Sequence, residues 1–200
     1  MIKNVVFDLG RVLVEFDPEA YIRSFGFGEP ETKNLFDAVF GKDWYLHDRG
    51  DYKTIDDLSL ALVKKYPDLS DGIRTVLNGD WVKIHYLKTG TAAYLEELKN
   101  RGYNIYILSN LSVESYEFIS KYPFFTLING GVFSYMENCC KPEPKIYKTL
   151  LERYSLDPAE TVFIDDNADN IIGAEAFGIN AVLFTSLDEV KQKVEALLLG

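Results

Sequence analysis

Four polar positions far apart in the chain are of the types that phosphoryl chemistry uses: Asp8, Ser109, Lys141 and the pair Asp165-Asp166. Asp8 follows the apolar run Val5-Val6-Phe7 and precedes Leu9-Gly10, so a carboxylate is carried by a buried strand onto a glycine turn. An aspartate can attack phosphorus and take the phosphoryl group as an acyl phosphate, dividing one displacement into two. Such a transfer needs its charge neutralised by a divalent cation, a lysine and hydrogen-bond donors. Asp8 and Asp166, with the Gly10 carbonyl, would give magnesium the oxygen ligands it prefers. Ser109 and the backbone N–H groups after it would hold phosphoryl oxygens, and Lys141 would pair with both Asp8 and the phosphate. Each position also has a plainer reading. Asp8 could close an Asx turn, Ser109-Asn110 could be a turn and helix cap, and Lys141 a loop residue before Pro142. Asp165-Asp166-Asn167 could cap a helix at Ala168.

The elements around these residues explain why they would meet. From about residue 87 the pattern alternates helix and strand: a helix over 87–101, a strand over 104–108, helices over 112–121 and 145–154, a short strand within 124–133, then a strand over 161–164, a helix over 168–177, a strand over 180–184 and a helix over 187–198. With the first strand this predicts an α/β fold, a Rossmann-like doubly wound parallel sheet, in which Asp8, Ser109 and Asp165 end strands on one edge. Between residues 18 and 86 the pattern is helical without strands, with expected helices over 21–25, 32–40, 54–66 and 70–81. Thr54-Ile55-Asp56-Asp57 is a capping box at the start of one of them. The division expected is a core of residues 1–16 and 87–200 and a helical cap of residues 17–86, rising over Asp8.

A formal net charge of -10 excludes a phosphate-tracking face, so neither nucleic acid nor an anionic membrane is an expected partner. No apolar run approaches the roughly 18 residues of a membrane span. The two cysteines, Cys139 and Cys140, are adjacent, which is neither a disulfide framework nor a zinc spacing. The N-terminus lacks the pattern of a secretion signal, and the chain reads as cytoplasmic. Oligomeric state is not legible.

At these residues the sequence resembles the haloacid dehalogenase superfamily of hydrolases, whose motifs match VVFDLG, LSN at 108–110, KPEPKIY at 141–147 and VFIDDNADN at 162–170. It is most similar to the small-metabolite phosphatases with a helical cap after the first motif, α-D-glucose 1-phosphate phosphatases among them. The resemblance implies that Asp8 is the nucleophile, that Ser109 and Lys141 hold phosphate, and that Asp166 is a magnesium ligand, with Asp165 a further ligand or a support behind it. It departs from the usual pattern at Gly10, where typical phosphatases of the superfamily carry a second aspartate as general acid. Losing a general acid forfeits about 10² to 10⁴ in rate unless something replaces it. Either the cap supplies a donor, from the cluster His47-Asp48-Arg49 on the Gly50 turn, or the leaving group departs unassisted, which favours anomeric sugar phosphates.

The expectation is therefore a magnesium-dependent phosphatase acting on a small phosphorylated metabolite, a sugar phosphate by preference, with Ser109, Asn110 and His47 as candidate substrate contacts. Two alternatives are a metal-free 2-haloacid dehalogenase and an idle protein that binds a phosphorylated ligand. The acid pair Asp165-Asp166 argues against the dehalogenase, since such enzymes carry uncharged residues there.

Overall fold

The structure is a computed structural model and describes residues 1–78 and 80–199. In chain order the elements are β1 (Asn4–Phe7), α1 (Pro18–Arg23), α2 (Glu29–Val39), α3 (Lys42–Asp48), α4 (Ile55–Lys65), α5 (Ser70–Val76), α6 (Thr89–Asn100), β2 (Asn104–Ser109), α7 (Val113–Ile119), β3 (Gly130–Phe133), α8 (Ser134–Glu137), α9 (Pro144–Tyr154), β4 (Thr161–Asp165), α10 (Ala168–Glu175), β5 (Asn180–Leu183) and α11 (Leu187–Leu199). The strands form one parallel sheet in the order β3-β2-β1-β4-β5. Central β1 is buried on both faces, as its unbroken apolar run requires. Val5 and Phe7 pack with α6 and α11 on one face, and Val6 packs with α9 and α10 on the other. The chain thus has the α/β, Rossmann-like architecture expected from its alternating pattern.

Helices α1 to α5 share a hydrophobic cluster of their own, built on Ile22, Leu35, Trp44, Leu58, Leu62, Ile73 and Trp81. Their caps follow the sequence. Asp17 accepts from Ala20 N–H ahead of α1, and Thr54 and Asp57 make the reciprocal capping box of α4. Among the described residues this region contains five α-helices where four were expected. The additional one is α3, and the helix expected over 70–81 ends at Val76, with a 3-10 turn over Trp81–Ile84; Gly79, inside the expected span, lies outside the described residues.

The chain leaves the sheet and returns to it along two adjacent stems. Glu15 N–H donates to Tyr86 O at 2.8 Å and Lys88 N–H to Leu13 O at 2.9 Å. Residues 11–16 open with a tight turn in which the Leu9 carbonyl accepts from Val12, Leu13 and Val14, and Arg11 takes a φ of 58°. Gly50, with a φ of 85°, lets the turn after α3 approach the Tyr135 backbone, where a Cβ would lie 2.8 Å from the Tyr135 carbonyl oxygen.

Candidate active site

Sheet register sets the site. Phe7 stands opposite both Ile107 and Ile164, so one step further Asp8, Leu108 and Asp165 occupy the same rung of three neighbouring strands. Lys141 inserts its ammonium into that rung: Nζ lies 2.8 Å from Asp8 Oδ1, 2.6 Å from Asp165 Oδ2 and 2.9 Å from the Leu108 carbonyl. Its three N–H donors are thereby matched by three acceptors. Burial alone would push this ammonium down, but Asp165 and Asp8 hold it above the ordinary lysine range. The main chain of Lys141 is fixed as well: its N–H donates to Asn110 Oδ1 at 2.7 Å, and Asn110 Nδ2 donates to its carbonyl at 3.0 Å. Asn110, a candidate substrate contact by sequence, has its amide committed to this loop.

Burial, opposed by Lys141 and reinforced by Asp165, pushes the Asp8 carboxyl up to about 7. Oδ1 of Asp8 also accepts from Leu9 N–H at 2.7 Å, and the buried Ser109 hydroxyl faces the same carboxylate. Asp165 is fully buried. Its Oδ1 accepts from Asn167 N–H at 2.8 Å and from Asn170 Nδ2 at 3.0 Å, while Oδ2 takes Lys141. Asp166 instead lines an open cleft of about 210 Å³ together with Asp8, Gly10, Arg11 and Phe16. Burial and Asp165 raise its carboxyl, and the Arg11 guanidinium at 3.7 Å offsets part of that rise.

The carboxylate oxygens of Asp8, Asp165 and Asp166 come within 4.8 Å of one another. One buried lysine and one exposed arginine leave this cluster with excess negative charge, and the Asp8 and Asp166 carboxyls are raised by burial first and by the neighbouring Asp165 after it. The donors are all hard oxygens, with no imidazole or thiolate among them, which fits magnesium.

His47 is not brought to this cleft. It is buried on α3 with Nε2 3.3 Å from Glu114 Oε2, poorly aligned for a hydrogen bond, and it lines a separate cavity of about 260 Å³ beside Tyr52, Lys53 and Tyr135. Asp48, the next residue, faces a cavity of about 130 Å³ walled by Phe16, Trp44, His85, Asn110, Leu111 and Ser115. Consecutive residues on a helix point about 100° apart, which divides the expected His47-Asp48 cluster between two cavities. Phe16 is a wall of both the Asp48 cavity and the Asp8 cleft.

His85 was not singled out by the sequence, and it belongs to no motif there. Its Nε2 pairs with Ser115 Oγ at 2.9 Å and its ring stacks on Phe16 at 5.3 Å between centroids. Burial pushes it down to about 4, so it is neutral near pH 7. A larger groove of about 340 Å³, between α6 and residues 123–127, contains none of the candidate residues.

A model of the haloacid dehalogenase-like hydrolase family matches residues 2–178. The drimenol cyclase of Aspergillus calidoustus is 28% identical over 200 residues, covering 97% of this chain, which spans only 36% of that protein's length. The D-ribitol-5-phosphate phosphatase of Bacteroides thetaiotaomicron is 29% identical over 188 residues, 88% of each chain. A Bacteroides thetaiotaomicron enzyme of the same family, solved in complex with magnesium and inorganic phosphate, shares the fold with a TM-score of 0.71 at 24% identity, covering 95% of this chain and 99% of its own. No helix among the described residues is long and apolar enough to cross a membrane.

Proposed function

The chain belongs to the haloacid dehalogenase-like hydrolases, and on that premise we propose that it is a magnesium-dependent phosphatase of a small phosphorylated metabolite, acting through an aspartyl-phosphate on Asp8. The observation that carries this reading is the Lys141 ammonium held between Asp8 and Asp165, with Asp166 beside them at the open cleft. Asp8 Oδ1 is engaged by Leu9 N–H and Lys141, which leaves Oδ2 as the attacking oxygen. Ser109 and Lys141 bind the phosphoryl oxygens, and Asn110 and Asp165 fix the lysine at its main chain and its head. Asp8, Asp166 and the Gly10 carbonyl would hold magnesium, with Asp165 behind them. When bound, it neutralises charge on the phosphoryl group.

A sugar or polyol phosphate suits the adjoining space best, because an aromatic wall, Phe16 and Trp44, faces a carboxyl and an imidazole there. The phosphatase of a polyol phosphate among the relatives supports the same substrate class. A preference for anomeric phosphates would follow from Gly10 if no other acid reached the leaving oxygen.

Phosphate release from a panel of anomeric and primary sugar and polyol phosphates, with and without magnesium and beside Asp8→Asn, tests the proposal. Turnover that requires both magnesium and Asp8 is expected. Metal-independent halide release from 2-haloacids would replace this reading with a dehalogenase, and ligand binding without turnover would replace it with a binding protein.

A further inference from the structure

We propose that Asp48 is the general acid and base of this hydrolase, supplied by α3 in place of the carboxylate that Gly10 lacks. The inference rests on the phosphatase reading above and concerns the leaving-group side of the same site.

The placement of Asp48 comes from both halves of the molecule. It is the last residue of α3 and lines the 130 Å³ cavity that shares the Phe16 wall with the Asp8 cleft, and its carboxyl lies within the influence of the Ser112 N–H and of Asp8. Ser134, at the start of α8, pins it: Ser134 Oγ donates to the Asp48 carbonyl at 2.5 Å while accepting from Leu111 N–H at 2.9 Å. Leu111 lies two residues after Ser109, so the same hydroxyl ties Asp48 to the loop proposed to hold phosphate. Next to it, Asn138 Nδ2 donates to the Arg49 carbonyl at 3.3 Å, and farther along Ile55 N–H donates to Glu114 Oε1 at 2.7 Å. A proton donor fixed to core loops on this many points does not depend on a wandering cap.

The surroundings keep a proton on this carboxyl near neutrality. No ion pair or side-chain hydrogen bond engages it among the described residues, and burial raises it to about 7. The groups that face it are His47 on its own helix, Asp8 at the end of β1, Glu114 on α7 and Cys140 before α9. His85 across the cavity is neutral near pH 7, and the Ser112 N–H favours the carboxylate. Only His47 and that N–H oppose the rise.

The proton balance closes over two steps. Asp8 Oδ2 attacks phosphorus, the bond from phosphorus to the ester oxygen breaks, and the Asp48 proton passes to the departing oxygen. Water then attacks the phosphorus of the aspartyl-phosphate, its proton returns to the Asp48 carboxylate, and the bond to Asp8 breaks to release phosphate. Both residues end as they began.

Asp48→Asn is the test, because the amide keeps the shape and removes the proton. For alkyl phosphates kcat should fall about 10²- to 10⁴-fold. With 4-nitrophenyl phosphate, whose leaving group needs no proton, the variant should release one equivalent of nitrophenolate in a burst and then turn over slowly. The alkaline limb of the wild-type pH profile should disappear. A second substitution, Gly10→Asp, should restore at least tenfold of the alkyl phosphatase rate in the Asp48→Asn background: a Cβ at Gly10 meets nothing within 4 Å and its φ is ordinary. Equal losses on alkyl and aryl substrates, without a burst and with the alkaline limb retained, would overturn the role of Asp48. Failure of the wild-type protein to release phosphate from any substrate with magnesium would instead overturn the phosphatase reading on which it rests.

Discussion

At the strand ends and across the cleft from them, the protein treats buried polar atoms in opposite ways. All three donors of Lys141 and both oxygens of Asp165 have partners, and even the Lys141 backbone is clasped by Asn110. On the helical side the ring nitrogens of His47, the Nδ1 of His85 and Glu114 Oε2 are buried without a hydrogen bond. Leaving such groups unmatched costs about 1–3 kcal/mol each. The first region is over-determined and suits a group that never varies, a phosphoryl. In the second, His85 walls the cavity beside the Asp8 cleft and keeps one ring nitrogen that the fold does not use, which suits a leaving group rich in hydroxyls, whereas His47 lines a separate cavity. Recognition of the transferred group and recognition of the departing one are therefore separable by mutation.

The largest effect expected from that division is at Lys141. Lys141→Met leaves Asp8 and Asp165 facing each other without their cation, and breaking a buried pair in this way costs about 3–5 kcal/mol. Calorimetry should show a Tm lower by roughly 6–20 °C, and phosphate release should vanish for every substrate alike. A variant with unchanged Tm would mean that the strand-end network is not the rigid half.

His85→Gln should act on the other half only. KM for sugar or polyol phosphates should rise about tenfold, roughly 1.4 kcal/mol, while kcat for 4-nitrophenyl phosphate stays within a factor of two or so. Equal loss of kcat on all substrates would erase the distinction between the two sides.

The last effect is one of stability against pH. Because the folded protein holds the Asp48 carboxyl near 7, above its unfolded value, its contribution is full below about pH 4 and is lost as pH rises through 7. Asp48→Asn removes that dependence. Relative to wild type, the variant should gain about 5–10 °C in Tm between about pH 5 and about pH 8, because carrying the wild-type carboxyl through its folded value of about 7 costs about 2–3 kcal/mol. A constant difference across that range would place the Asp48 carboxyl in water rather than in a protein cavity.

Much of the site was readable in advance because strand-end chemistry leaves local marks. An apolar run ending in Asp8-Leu9-Gly10, a second ending in Ser109 and a third ending in Asp165-Asp166 must align when the strands pair in parallel register. Thr54 to Asp57 likewise carried its capping box in four adjacent residues. The short helix α3 left no comparable mark. Seven residues are too few to be helical alone, since isolated helices shorter than about 12–15 residues are marginal, and α3 exists because Trp44 packs on Phe40 and Trp81.

Periodicity, caps and spacing in the sequence thus determined the sheet, its strand ends and the residues clustered there, because each depends on neighbours within a few positions or on one regular pairing rule. Which of His47 and Asp48 faces the space beside Asp8, and that His85 and Phe16 help to wall that space, was decided only by tertiary packing. A turn of about 100° between successive helical residues separates the two side chains, and the rotation of α3 is set by contacts with Trp81 and Ser134 from distant parts of the chain.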